Sequence, residues 1–529
     1  MALIIAVFFV IVVTILIYLQ WPAWKLSKIP AAPYISGLGH LPLMAKYQAG
    51  VFIKLAKQLG PIYRFQLGRQ PIVFVASADL CQEIAIRKFK VFPNRVILPY
   101  MKESWIHLHG LFMTKAPDWA RMRNILLPTF HTEKLSAYVP LMERVMGQVV
   151  EILDKHANAG EDVNMTQLLQ RMALDVIGES AFGTGFKLVK PSWADGRSED
   201  KDMVNAVLNS LDTLTMNEKA PVSTFAGLFF PFLQHPIREI MKRIPGTGDW
   251  NQYTGNLLLE AQMRALLERR EAEMRDGVVR SDALSLLLDA RAKSQEMREL
   301  LTDERVLALA YELMMAGSES TGTNLCYTLY FIAAHPEVAS KMVKEIDELA
   351  PLGSTVAFED VDKFKYVDQV IKESMRMITF SPVVAREAME DIKVVGYHIP
   401  KVTSLSLSCR DSQTFFYQGT WVWLVINALA QDEEDFPEPH LFRPERFDPD
   451  CAEAKKRHPY AHSPFGIGPR MCIGYKLAYL EMKLALIHFY QRYTFEHSPA
   501  MENPLAVRLS IVVRPIHGVK LRVRKREIC

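Results

Sequence analysis

Ten residues toward the C-terminal end, Phe465 to Gly474, read F-G-I-G-P-R-M-C-I-G and constrain the chain more than any other stretch. A lone cysteine is most often a small core hydrophobe. Here, however, Phe465, Gly468, Arg470, Cys472 and Gly474 stand at the fixed intervals F-x-x-G-x-R-x-C-x-G. Each type has a use beside a flat macrocycle that carries a metal. Glycines let the backbone approach its face, a cysteine thiolate ligates the metal axially, and an arginine pairs with a carboxylate on its rim.

This spacing resembles the haem-thiolate loop of the cytochrome P450 superfamily. The resemblance implies a mainly α fold with small β-sheets, shaped as a triangular prism with a long central helix over the haem. It implies haem b (iron protoporphyrin IX) as cofactor, Cys472 as the iron ligand, and Phe465, Arg470 and Gly474 around the group. Electrons would come from NADPH through a reductase. Trp119 and Arg123, four apart and so on one helix face, resemble the family's propionate-binding helix, and by the same resemblance Arg386 reaches a propionate. Arg305 to Ala334 reads as a long apolar helix interrupted by Ala316-Gly317-Ser318-Glu319-Ser320-Thr321. An acid and adjacent hydroxyls inside a buried helix are costly unless used. They resemble the oxygen-activation groove A-G-x-[DE]-T-[ST], with Ser320 where threonine is usual, so proton delivery is expected from Glu319, Ser320 and Thr321. A kinked core helix closed by His335-Pro336 is the structural alternative. Glu373 and Arg376, three apart, and Arg446 in Pro444-Glu445-Arg446-Phe447 resemble a buried lock that serves folding and haem retention.

Length alone does not decide the number of domains in 529 residues. With 49% hydrophobic and 23% charged residues the chain can bury a large core, and a net charge of +3 is too balanced for a nucleic-acid binder. Six scattered cysteines without C-x-x-C pairs fit a reducing compartment, with one metal ligand and five ordinary thiols. Leu3 to Leu19 is almost wholly apolar and leads to Trp21, Trp24, Lys25 and Lys28, with no A-x-A cleavage site. Residues 1–24 are therefore expected to be an uncleaved single-pass anchor with its C-terminal side cytosolic, which places the protein in the endoplasmic reticulum membrane. Residues 25–42, with Pro30 and Pro33, read as a stiff hinge, and residues 43–529 as the haem-thiolate domain.

Ile62 to Leu67 and Ile72 to Val75 read as a hairpin around Gly68-Arg69-Gln70. Ser77 caps a helix to about Lys88, and helical periodicity runs from about Tyr138 to Phe182 with a polar break at 157–162. Lys190 to Asp202 reads as a surface linker. Phe225 to Phe232 is either a core plug or a membrane contact, the latter favoured by the anchor. Lys455, Lys456, Arg457 and Lys476 form a basic surface suited to an acidic reductase, although such runs are often merely solvated.

Val402 to Gln418 does not belong to the pattern. Relatives pass from G-Y-x-I-P-K directly into G-T-W-V-W-L, here Lys401 to Gly419. The segment begins with valine, whose codons start GT, and ends with glutamine, one of whose codons is CAG, as a retained intron would. A genuine surface loop is the alternative.

Beyond the superfamily motifs, Gly39 to Tyr47, Leu55 to Pro71, Phe92 to Arg95 and Arg457 to Gly474 resemble the plant carlactone oxidases of strigolactone biosynthesis, the "more axillary growth" class. That resemblance implies oxidation of an apolar apocarotenoid, carlactone to carlactonoic acid. These stretches are read as marks of kinship, not as cavity chemistry. The alternatives are an oxygen-independent isomerase of the same fold, a monooxygenase of another lipophilic substrate, and a haem protein inactivated by its insert.

Overall fold

The N-terminal apolar run forms one helix, α1 (Ala2–Trp24), almost none of it buried. At about 1.5 Å per residue it is long enough to cross a bilayer core. The computed structural model describes all residues except 36, 190–209, 211–212, 215–218, 402–403, 408–414 and 528–529. The linker expected at Lys190–Asp202 lies outside the described residues.

Eight further elements position the site. They are β1 (Ile62–Leu67), β2 (Gln70–Val75), α2 (Asp118–Leu126), α3 (Met165–Phe182), α4 (Asp303–Ala334), α5 (Lys365–Met377), β3 (Val384–Glu387) and β4 (Trp421–Leu424). A final helix, α6 (Tyr475–Tyr490), follows the cysteine loop directly. The expected hairpin forms, with Ile62 opposite Val75 and Leu67 opposite Gln70. Gly68 turns it with φ +54°, and a side chain there would press on the Leu228 carbonyl. β2 pairs parallel with β4, which pairs antiparallel with β3, giving the order β1-β2-β4-β3. The fold is thus mainly helical with small sheets.

The central helix α4 runs unbroken through the stretch expected to interrupt it. Its hydroxyls bond back along the helix, Ser318 Oγ to the Met314 carbonyl at 2.8 Å and Ser320 Oγ to the Ala316 carbonyl at 2.7 Å. The glycines serve packing against α3. A Cβ on Gly317 would stand 2.7 Å from Ile177, and one on Gly322 would stand 2.9 Å from the Gln170 backbone.

The proline-rich segment expected as a hinge is docked. The Pro30 carbonyl accepts the Arg64 N–H, Arg64 Nη1 reaches the Ala23 carbonyl at 2.6 Å, and Leu26 and Ile29 are buried. The aromatic patch divides between its two readings. Leu228 is buried in the core, whereas Phe230 stacks on Tyr18 of α1 and Phe232 and Leu233 are exposed. Within the extra segment, Ser404–Leu407 and Phe415–Gln418 pair as an antiparallel hairpin separate from the other sheets, where sequence periodicity gave no strand. Its flanks meet: Thr420 Oγ1 donates to the Pro400 carbonyl, and the Gly419 N–H donates to Glu387 Oε1 at 2.9 Å.

Candidate active site

The cysteine loop is held by its own backbone and by its neighbours. The Cys472 N–H donates to the Phe465 carbonyl at 2.9 Å. Gly468 has φ +75°, and any side chain there would collide with the Ala85 carbonyl. Gly474 starts α6, and a side chain there would meet only the Phe130 ring at 3.4 Å. The Phe465 ring packs on Tyr479, 5.1 Å between centroids. Cys472 is a free thiol with an accessible side chain. That accessible face belongs to an interior cavity of about 490 Å³, bordered also by Trp119, Arg123, Phe465, Arg470, Gly474, Glu319, Ser320 and Thr321. Burial raises the Cys472 thiol pKa, opposed by the Gly474 N–H and by Arg123 and Arg95.

Guanidinium groups crowd one side of this cavity. Arg470 is buried, with Nε on the Pro93 carbonyl and Nη2 on the Thr114 carbonyl, both at 2.9 Å. Its guanidinium lies 4.1 Å over the Trp119 ring, and Arg123 approaches the same ring at 5.9 Å. Burial, then Arg95, Arg386 and Arg123, push the Arg470 pKa down to about 8.

Arg386, expected at a propionate, gives Nη2 to the Ile467 carbonyl of the cysteine loop at 3.2 Å and leaves its buried Nε without a hydrogen-bond partner. Arg95 borders the cavity, with Nη2 on the Arg470 carbonyl at 2.8 Å. Of the stretch Phe92 to Arg95, read as a mark of kinship, Arg95 thus lines the cavity. Sequence carries no sign of this, because contacts between distant segments decide which side chains face inward.

Glu319 also borders the cavity. Its carboxylate accepts from Arg514 Nε at 2.7 Å, Gln170 Nε2 at 2.8 Å and Thr323 Oγ1 at 3.3 Å. A carboxylate gripped by an arginine and an amide has its orientation fixed. Ser320 and Thr321 border the same cavity, with Ser320 Oγ bonded back to the Ala316 carbonyl. A second acid of α4, Glu312, was missed. It borders the cavity near Arg95 and Arg470, and burial pushes its pKa up to about 7. A lone acid in the apolar run 306–315 was the available signal.

The residues fit a haem. Burial and then neighbouring guanidiniums lower the pKa values of Arg95 and Arg470, Arg470 Nη1 has no hydrogen-bond partner, and the cavity ends at a free thiol. A planar group with two carboxylates and a metal that accepts sulfur answers all three features.

The family model described as Cytochrome P450 matches residues 30–410 and 407–523. The chain belongs to the cytochrome P450 family. It is 28% identical to dog "Cytochrome P450 3A12" over 91% of this chain and 88% of that one. It is 27% identical to human "Cytochrome P450 3A5" over 93% and 91%. To the "Lithocholate 6-beta-hydroxylase" of Mesocricetus auratus it is 27% identical over 89% and 86%. P450 enzymes are haem-thiolate monooxygenases that draw electrons from NADPH through a reductase. The two matched parts of this P450 meet inside 402–418. On the reductase-facing surface expected from sequence, Lys455, Lys456 and Lys476 are exposed. Arg457 is not part of that surface: it stacks on Phe436 and Phe447 and gives Nη2 to the Arg446 carbonyl at 2.8 Å.

Proposed function

We propose that this P450 is anchored in the endoplasmic reticulum membrane by α1 and oxidises a lipophilic, terpenoid-sized substrate, with carlactone converted to carlactonoic acid. One observation carries the reading: an apolar cavity joins Cys472 to the Ser320 and Thr321 hydroxyls. The choice of carlactone rests on the sequence stretches that resemble carlactone oxidases. When bound, haem supplies one-electron and oxygen chemistry on an iron held by sulfur. Cys472 would hold the iron, Arg95, Arg123, Arg386 and Arg470 would hold the propionates, and Trp119 backs the last of these. Ser320 and Thr321 hold and pass a proton at their Oγ atoms. Serine lacks the methyl that stiffens threonine, so Ser320 can turn from the Ala316 carbonyl toward the cavity. Glu319, fixed by Arg514, positions this turn of α4. The hydroxyls favour a monooxygenase over the isomerase alternative, which has no use for them.

Microsomes containing the protein, a reductase and NADPH are expected to convert carlactone to carlactonoic acid. Ser320→Ala with Thr321→Ala should keep the haem but lower product per NADPH about a hundredfold, the low end of the usual range of general acid catalysis. The lost equivalents should appear as hydrogen peroxide. Unaltered coupling would point to another proton route, and haem-loaded protein that leaves carlactone untouched while oxidising another lipid would remove carlactone.

We also infer that 402–418 is an addition to a fold complete without it. The Thr420 to Pro400 bond already brings its flanks together, so direct joining needs little rearrangement. A deletion of 402–418 is expected to keep haem and substrate oxidation, and a transcript lacking those codons should exist. Loss of haem on deletion, with no such transcript, would make the segment a true structural element.

A further inference from the structure

One wall of the cavity is clipped to the central helix by groups that haem binding does not require. Glu312 Oε1 accepts the Phe112 N–H at 2.7 Å. The carboxyl lies flat against Gly110, where a Cβ would stand 2.9 Å from both of its oxygens. Gly110 has no positive φ, so its small size provides room rather than an unusual turn. The other end of the Phe112 peptide is fixed too. Its carbonyl accepts from Arg95 Nη1 at 3.0 Å, and the Arg95 guanidinium lies 4.1 Å over its ring. The preceding residue of α4 repeats the attachment. Tyr311 meets His107 Nε2 at 3.2 Å, and His107 Nδ1 meets Ser104 Oγ at 2.7 Å. Two adjacent residues of α4 thus hold Ser104 to Phe112, and both Phe112 and His107 border the cavity.

A carboxyl group inside an apolar helix is expensive, and neither the iron ligand nor the proton-passing hydroxyls use this one. We propose that Glu312 is a positioning residue: by fixing Phe112 it sets the shape of the cavity above Cys472, and so decides which carbon of a substrate is presented for oxidation. The proposal rests on the monooxygenase reading but not on carlactone. Leucine or alanine at 312 would preserve the helix and free the Phe112 N–H. A methyl group at 110 would push the carboxyl away from the same loop. The two changes therefore attack one contact from opposite sides.

The test uses full-length, haem-loaded protein carrying E312A, E312Q, G110A or E312A with G110A. Hydrogen exchange of the Phe112 amide reports the clip. The affinity ratio of 1-phenylimidazole to imidazole, both of which coordinate haem iron, reports the cavity wall without any turnover. E312A and G110A should each speed exchange at Phe112 and cut the preference for 1-phenylimidazole about three- to tenfold, the worth of one net hydrogen bond. Imidazole itself should bind as before. E312Q, whose amide carbonyl still accepts, should retain most of both properties, and the double variant should be no worse than E312A. With carlactone as substrate, E312A should also spread oxidation over additional carbons. Unchanged Phe112 exchange, a lost clip with unchanged azole preference, or additive effects of the two changes would overturn the proposal. If E312A does not retain haem, G110A, which leaves Glu312 in place, decides the same question. If carlactone is not oxidised at all, the azole ratios still stand.

Discussion

Glu373→Ala is expected to leave a protein that folds poorly and loses haem. Glu373, Arg376 and Arg446 have no solvent exposure. The carboxylate takes Arg376 Nε at 2.7 Å and Nη2 at 2.8 Å, Arg446 Nε at 3.1 Å, and the Arg443 N–H at 2.9 Å. Truncation would strand the buried Arg376 guanidinium without a counter-charge and leave Arg446 the more distant Glu453 at 3.5 Å, a loss of about 3–5 kcal/mol by comparison with other broken buried pairs. That is a large fraction of the roughly 5–15 kcal/mol that holds a typical domain together. The damage should reach the haem, because Arg446 passes its carbonyl to Arg457, whose chain leads into the cysteine loop. Thermal unfolding and haem content per protein check this. A melting midpoint and haem content equal to the parent's would mean that the lock is not structural.

What sequence made legible was local. The intervals from Phe465 to Gly474 fix a cysteine loop because backbone spacing alone determines where those side chains stand. The hairpin of β1 and β2 was readable from alternation around Gly68, and Glu373 with Arg376 from helical spacing. Where partners come from far along the chain, the reading failed. Gly317 looked like part of a break in α4, but Ile177 of α3 is what requires it. That Arg514, nearly two hundred residues on, holds Glu319 could not be read from the helix itself. Arg95 is hidden by the same difficulty, since local pattern cannot say which arginine faces a cavity. Glu312 was hidden for another reason: one acid in an apolar run is read as noise until Phe112 and Gly110 close around it.

The central claim is that Cys472 is the axial ligand of a haem, and the reduced carbonyl difference spectrum tests it most directly. Cys472 is the free thiol that opens into the cavity, in a loop held by the Phe465 carbonyl. The arginines lie to one side of the cavity, where they can take carboxylates while leaving the sulfur to the metal. Cysteine ligation shifts the carbonyl band to about 450 nm. The parent protein should show that band, and Cys472→Ala should abolish it while leaving the chain folded, since one small side chain in a preformed loop is removed. A band retained by the alanine variant, or absent from a haem-loaded parent, would contradict the account.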